Sequence, residues 1–335
     1  MRIGSNPNKS ISQTESFYIH QIIIPVYIPN EEDYFKDALK ILKICLNSLF
    51  HTIHERTYIT VVNNGSCESV IQYLDTLFSE KKLNELMHTD NVGKINAVFK
   101  GLSGNNIELV TITDADVLFL GDWQSETIKI FTEIPKAGVV GIVPQIRLYK
   151  YNGGNVIFDN FFDKKLKFLP IKNKEALTHF HESIAWGEFN KDYLELGLGL
   201  EYKNVKCFIG AGHFVSTYKK DVFEELKTFI GGKKAAGIGE EYLDNKALEK
   251  DYWRLTTHDN YAYHMGNVYE EWMDLSSQNT TKEVYTNFNF DKRKKINRVT
   301  YFFKNKLVKQ LISRKWSARL FLKWTKLPNQ MIANY

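Results

Sequence analysis

Four short runs constrain the fold most. Ile22–Tyr27, Tyr58–Val62, Leu109–Thr113 and Val139–Pro144 are apolar or β-branched almost throughout, with no polar residue at every second position. A strand is written this way when both of its faces are covered, as in a parallel sheet between helices. The intervening stretches change period. Phe35, Ala38, Leu39, Leu42, Cys45, Leu46 and Leu49 recur at spacings of three and four, as do Val70, Ile71, Leu74 and Leu77, and then Ile95, Val98, Phe99 and Leu102. Those are helical stripes. Asn30, followed by Glu31, Glu32 and Asp33, is expected to cap the first helix, and Pro25 places the end of the first strand. The first 120 residues thus read β-α-β-α-β-α-β, an α/β chain with a mostly parallel sheet and right-handed crossovers. Trp123–Ile134 reads as a further helix before the Val139 strand.

Asp114 and Asp116 stand one residue apart where the Leu109 strand leaves the sheet. Two carboxylates this close repel, and burying them unpaired is costly. A cation that neutralises both resolves the conflict, and carboxylate oxygens suit Mg²⁺ or Mn²⁺. The carboxyl ends of strands are also where open α/β sheets bind ligands. The alternative is a solvated turn or helix cap. Asn63 and Asn64 close the second strand and offer hydrogen bonds to a base or ribose. Lys94, opening a helix, would meet a phosphate with its own charge and the helix's positive end; otherwise it is a surface lysine. There is no Gly-x-Gly-x-x-Gly fingerprint and no Gly-Lys-Ser/Thr loop, which disfavours a dinucleotide-binding enzyme and a P-loop NTPase.

Composition adds bounds. With 335 residues, 43% hydrophobic and 14% aromatic, the chain can bury a large core. Cys45, Cys67 and Cys207 are odd in number and widely spaced, which suggests free thiols in a reducing compartment. Residues 1–17 are polar and unlike a signal peptide, and no stretch approaches the ~20 apolar residues of a membrane span. The expectation is a cytoplasmic protein, peripheral on the inner face of the cell membrane. Thirteen Lys and Arg and no Asp or Glu lie between Lys292 and Lys326, which leaves the rest of the chain at −8 against a total of +5. A mildly acidic body with a basic tail implies a polyanionic surface partner for the tail.

The order of motifs resembles family 2 of the glycosyltransferases, enzymes of the GT-A fold that use nucleotide-diphosphate sugars. Ile24-Pro25-Val26-Tyr27 stands in the place of that family's first strand end. Asn63-Asn64-Gly65-Ser66 replaces its Asp-Asn-Gly-Ser, Asn91-Val92-Gly93 its Asn-x-Gly, and Asp114-Ala115-Asp116 its metal motif. The resemblance implies that Pro25, Tyr27, Asn63, Asn64 and Lys94 surround the nucleotide, UDP being the commonest, and that Asp114 and Asp116 face ribose and metal. Phe208–Thr217 resembles the acceptor-facing segment, which makes His213 an acceptor contact. Gly239-Glu240-Glu241 resembles the Gly-Glu-Asp region that carries the catalytic base. The base then falls on Glu241, with Glu240 and Asp244 as alternatives. An acceptor hydroxyl needs such a carboxylate to take its proton as the new bond forms. His264 lies in a segment like the family's His-x-Gly, where it would reach metal or diphosphate, or is a buried structural histidine.

Residues 147–205 are hardest to read and by resemblance shape acceptor choice. Trp186 is a candidate sugar platform there or a core residue. Thr178–His181 would place two histidines on one face of a strand, paired surface histidines being favoured over a second metal. The units expected are a polar segment 1–17, a GT-A catalytic domain 18–288 divided at 146/147, and a basic tail 289–335. In the tail, Val299, Phe303, Leu307, Val308, Leu311, Ile312, Trp316, Leu320, Phe321 and Trp324 form a stripe between cations. A basic amphipathic helix of this kind docks on anionic membranes, and its alternative is packing on the catalytic domain. The sequence therefore points to an inverting, metal-dependent glycosyltransferase acting on a glycan or lipid-linked glycan, in bacterial surface-polysaccharide synthesis. Its rivals are a sugar-1-phosphate nucleotidyltransferase, whose Gly-rich loop with Arg and Lys is absent, and a non-enzymatic module binding nucleic acid or membrane. Nucleic acid is not expected, because the body is acidic.

Overall fold

The computed structural model describes residues 16–184, 190–225, 229–231, 238–274, 288 and 290–335, with the side chains of 238–241 outside that set. The opening alternation folds as its periodicity requires: β1 (His20–Val26), α1 (Ala38–Thr52), β2 (Thr57–Asn64), α2 (Glu68–Ser79), β3 (Glu85–Thr89), α3 (Lys94–Leu102) and β4 (Leu109–Thr113). Ile22, Ile23 and Ile24 are fully buried, each worth roughly 1.5–3 kcal/mol on removal from water. The first helix begins later than expected. Asn30 instead closes a local turn, its Oδ1 accepting the Glu32 N–H at 3.0 Å, and a 3₁₀ turn over Asp33–Phe35 precedes α1.

The chain continues through β5 (Val117–Phe119), α4 (Trp123–Glu133), β6 (Ala137–Gly141), α5 (Tyr149–Asn152), α6 (Gly154–Asn160), β7 (Leu166–Pro170) and α7 (Lys174–Ser183). It then forms β8 (Leu196–Tyr202), β9 (Val205–Ile209), β10 (Val215–Lys219), α8 (Ile238–Glu249), β11 (Trp253–Thr257) and β12 (Ala262–His264). Ten strands make one sheet in the order β3-β2-β1-β4-β10-β6-β11-β9-β8-β7. From β3 to β4 all pairs are parallel; across the whole sheet only β10, β9 and β7 run against the others. Helices cover the sheet, so this is the mixed, mostly parallel α/β sheet of the GT-A kind. β12 pairs separately with β5, a two-stranded ribbon beside the carboxyl end of β4.

The Thr178–His181 segment corrects the sequence reading: it lies in α7, not in a strand. Residues two apart on a helix point to nearly opposite sides, so the two histidines share no face. His179 packs edge-on against Trp272, with ring centroids 4.3 Å apart, and His181 is buried. The tail is helical but broken: α9 (Arg298–Tyr301), a π-helical stretch Phe302–Leu307, α10 (Val308–Ser313) and α11 (Lys315–Trp324). Arg314, extended at φ −83° and ψ 127°, separates α10 from α11. Val308, Ile312, Phe321 and Leu322 join the same apolar cluster as Leu198, Leu200 and Phe208. One face of the tail thus packs on the body, and among the described residues no helix is long and apolar enough to cross a membrane.

Candidate active site

Because β1, β2 and β4 are parallel neighbours, their carboxyl ends open on one rim. A cavity of about 420 Å³ lies there, and Pro25, Tyr27, Asn64, Lys94, Asp114 and Asp116 all line it. The motifs scattered over ninety residues of sequence therefore converge. Tyr34, Phe35, Gly266 and Asn267 also line it. The two aromatics lie in the stretch read as the start of a helix, where nothing in the sequence separates a cavity wall from a first turn.

Two loops set the floor. Asn64 Oδ1 accepts the Val92 N–H at 2.9 Å and its Nδ2 donates to Asn91 Oδ1 at 3.3 Å, tying the end of β2 to the loop before α3. Gly65 makes that approach feasible. It sits at φ +87°, and a Cβ there would lie 2.9 Å from the Asn91 nitrogen. Asn63 does not line the cavity, contrary to the expectation from sequence. It is only 2% exposed, its Oδ1 accepts the Ser66 N–H at 3.0 Å, and its Nδ2 donates to His88 Nδ1 at 2.8 Å. One polar end shapes the turn and the other ties β2 to β3, and Asn63 is not among the residues that line the cavity.

At the centre, Lys94 Nζ lies 2.6 Å from Asp114 Oδ1. The Asp114 N–H donates to the Phe214 carbonyl at 2.7 Å, which fastens the acidic turn to the segment carrying His213. Asp116 is held from the other side. Its carbonyl accepts the Met265 N–H at 2.8 Å, and its Oδ2 is 3.4 Å from His264 Nε2. His264 Nδ1 shares a hydrogen bond of 3.1 Å with Ser183 Oγ. Asp116 Oδ1 is buried with no hydrogen-bond partner among the described residues. Burial, followed by the charge of Asp114, pushes the Asp116 carboxyl up to about 6, with His264 opposing.

A bare, buried carboxylate oxygen beside a second carboxylate fits a divalent cation. Among the described residues no three His, Cys, Asp or Glu form a ready-made cage. Mg²⁺ is commonly held by one or two carboxylates, with phosphate oxygens and water completing its shell.

The residues expected on the acceptor side are less fully described. His213 Nδ1 is 3.9 Å from Asp244 Oδ2, and Asp244 Oδ1 is 2.7 Å from Nη2 of Arg254, a side chain with 0% exposure. The Nη2 N–H groups aim at the Ala211 and Gly212 carbonyls, at 2.8 and 3.3 Å, so the Asp244 contact is a charge pairing and not a directed hydrogen bond, and Nε and Nη1 have no hydrogen-bond partner among the described residues. Nothing in the sequence marks Arg254, which sits inside β11 among Leu and Thr. Glu240 and Glu241 lie on α8, with side chains outside the described residues, and Trp186 lies outside them altogether.

The sequence matches the family model described as glycosyl transferase family 2 over residues 21–194. No curated protein matches it. Among solved structures it is similar to a mannosyltransferase, PcManGT from Pyrobaculum calidifontis, in complex with GDP-Man and Mn²⁺. That match has a TM-score of 0.43 and 18% identity over 71% of this chain and 54% of the other. TarS of S. aureus is similar at a TM-score of 0.44 and 14% identity, over 73% of this chain and 36% of TarS. TarS 1–349 in complex with UDP-GlcNAc gives 0.43 and 14%, over 75% and 61%. The chain thus spans about half the length of the mannosyltransferase and about a third of TarS.

Proposed function

The chain belongs to glycosyl transferase family 2, and from that premise we propose that it moves a sugar, with inversion, from a nucleotide-diphosphate donor to a hydroxyl of a glycan or lipid-linked glycan. UDP is the favoured nucleotide, and assembly of a bacterial surface polysaccharide the favoured setting. The observation that carries the reading is the orphaned Oδ1 of Asp116 beside the Lys94–Asp114 pair, inside a cavity at the carboxyl ends of three parallel strands.

In this reading Pro25 and Tyr27 wall the base, while Asn64 holds the loop beneath it. Asp114 and Asp116, with His264 beside them, hold Mn²⁺ or Mg²⁺. When bound, the metal offsets the charge that develops on the departing diphosphate. Lys94 meets the same charge from the start of α3, where the helix's positive end adds to its own. The acceptor hydroxyl attacks the anomeric carbon as the bond to the diphosphate breaks, and its proton passes to a carboxylate of α8.

Glu241 is the better base and Asp244 the poorer one. Asp244 is committed to a buried arginine, whereas Glu241 falls one helical turn earlier on the same element. Asp244 is also 3.9 Å from His213, whose neighbour Phe214 holds the acidic turn, so the first turns of α8 adjoin the acceptor side. By its basic residues 292–326 the enzyme works at an anionic membrane surface, on the cytoplasmic face.

The test is release of nucleoside diphosphate from a panel of UDP-, GDP- and CDP-sugars, with and without Mn²⁺. Metal-dependent release from one nucleotide class, lost in Glu241→Gln while nucleotide binding persists, is the expected result. Release that persists in Glu241→Gln and disappears in Asp244→Asn at unchanged stability would reverse the assignment of the base.

A further inference from the structure

Eleven of the tail's thirteen cations, all but Lys294 and Arg298, fall into two groups. Those near its start are neutralised by the body: Lys292 is 2.7 Å from Glu224, Arg293 3.5 Å from Asp251, Lys295 pairs with Glu225, and Lys304 is 2.7 Å from Asp159. From Lys306 onward, no carboxylate among the described residues lies within ion-pair distance of Lys306, Lys309, Arg314, Lys315, Arg319, Lys323 or Lys326.

Three of these unpaired cations, Lys309, Lys315 and Arg319, line one cavity of about 440 Å³ between α5, α10, α11 and the end of the described chain. Lys150 joins them, its ammonium donating to the Tyr335 carbonyl, and the wall contains no Asp or Glu side chain. Helix α11 then shows two neighbouring rows. Lys315, Arg319 and Lys323 follow one another four residues apart; Trp316, Leu320 and Trp324 form the adjacent row, at 63%, 60% and 56% exposure. Packing on the body buries Phe321 and Leu322, while the adjacent row stays more than half exposed, Trp324 docking on the body through its indole N–H to the Phe161 carbonyl and its stacking on Phe161. The loop after α6 extends this row. Phe161 stacks on Trp324 with centroids 5.6 Å apart and an interplanar angle of 6°, and Phe162 is 87% exposed beside it.

We propose that this face is a lipid-docking surface: the cavity of Lys150, Lys309, Lys315 and Arg319 takes the phosphate of an anionic bilayer lipid, and Trp316, Leu320, Trp324 and Phe162 enter the headgroup layer. The proposal rests on the membrane-peripheral reading above and narrows it from the whole tail to α11 with the α6–β7 loop. Charge complementarity selects the occupant. Amphipathic aromatics next to unpaired cations fit an anionic interface, whereas a protein partner of ordinary mixed charge would leave the cations unpaired.

The experiment is co-sedimentation of the full chain with vesicles of neutral phosphatidylcholine and with vesicles containing one-third phosphatidylglycerol, in low and high salt. Wild type is compared with the triple variant Lys309→Gln/Lys315→Gln/Arg319→Gln and with Trp316→Ser/Leu320→Ser. A cation near an anionic leaflet contributes about fivefold to partitioning, so the triple variant should lose binding on the order of tenfold to a hundredfold. The apolar variant should lose it at both salt concentrations. A thermal shift with UDP and Mn²⁺ is run on each variant. A retained shift shows that the fold and the nucleotide site persist, which separates failure of docking from failure of the glycosyltransferase reading. Equal binding to neutral and anionic vesicles would overturn the proposal. So would binding unchanged in the triple variant, or single-stranded RNA retained more tightly than vesicles and lost in the same variant.

Discussion

Replacing Asp244 separates a structural carboxylate from a catalytic one. Arg254 is fully buried and its charge faces two carbonyls and Asp244 Oδ1 at 2.7 Å. Removing one partner of a buried pair leaves the other charge uncompensated, at a cost of about 3–5 kcal/mol. Asp244 is partly open to solvent and the carbonyls remain, so Asp244→Ala belongs at the lower end, about 3 kcal/mol. For a chain of this length that corresponds to a fall in melting temperature of roughly 4 °C. Differential scanning calorimetry or denaturant titration reads it directly. The double variant Asp244→Ala/Arg254→Met should recover most of the loss, because it removes the stranded charge while keeping volume. Glu241→Gln should lose transfer activity without losing stability. An Asp244→Ala protein as stable as wild type, with transfer abolished, would refute the reasoning and make Asp244 the base.

Gly65→Ala forces a Cβ to 2.9 Å from the Asn91 nitrogen at φ +87° and should cost about 1–2 kcal/mol in denaturant titration; an unchanged midpoint would show that the turn relaxes. Lys94→Gln should weaken UDP about tenfold while leaving uridine unaffected, as the proposed role toward the diphosphate requires; equal losses for both would contradict that role. Burial, aided by Arg56, lowers His54 to about 4, so the folded state takes up fewer protons than the unfolded chain once the pH drops below about 6.5. Its contribution is present above that pH and is lost as the pH falls toward 4. His54→Gln should therefore remove about 1 kcal/mol, discounted for partial exposure, from the difference in stability between pH 7.5 and pH 5.5. Denaturation at the two pH values with an unchanged difference would refute it.

How far sequence reached follows from which constraints are local. The opening strands were legible because burial on both faces keeps their runs apolar or β-branched: Ile22–Ile24 and Leu109–Ile112 declare their position by themselves. Strand β3, with the sequence ELMHT and partial exposure at the sheet's edge, carries no such mark. The convergence of Pro25, Asn64 and Asp114 on one cavity was legible because parallel order brings the carboxyl ends of β1, β2 and β4 to one rim. Asn63 was misplaced because its neighbours decide which way the side chain turns: Ser66 and His88 claim it, and both contacts depend on the turn and on β3. The Asp244–Arg254 pair was invisible for a similar reason, since a helix and a strand meet only after the chain has folded. The tail's periodicity gave its helicity and its cations. Its break at Arg314, and the division of its cations between body and solvent, depend on Asp159, Asp251 and Glu224 in distant segments.

The central claim is that Asp114 and Asp116 form a metal-dependent nucleotide-diphosphate site. The most direct measurement is calorimetric titration of UDP, GDP and CDP into wild type and Asp116→Ala, each with Mn²⁺ and with chelator. Binding of one diphosphate that requires Mn²⁺ and vanishes in Asp116→Ala is the predicted result. Binding equally strong in chelator or in the variant, or no binding of any nucleotide, would contradict it.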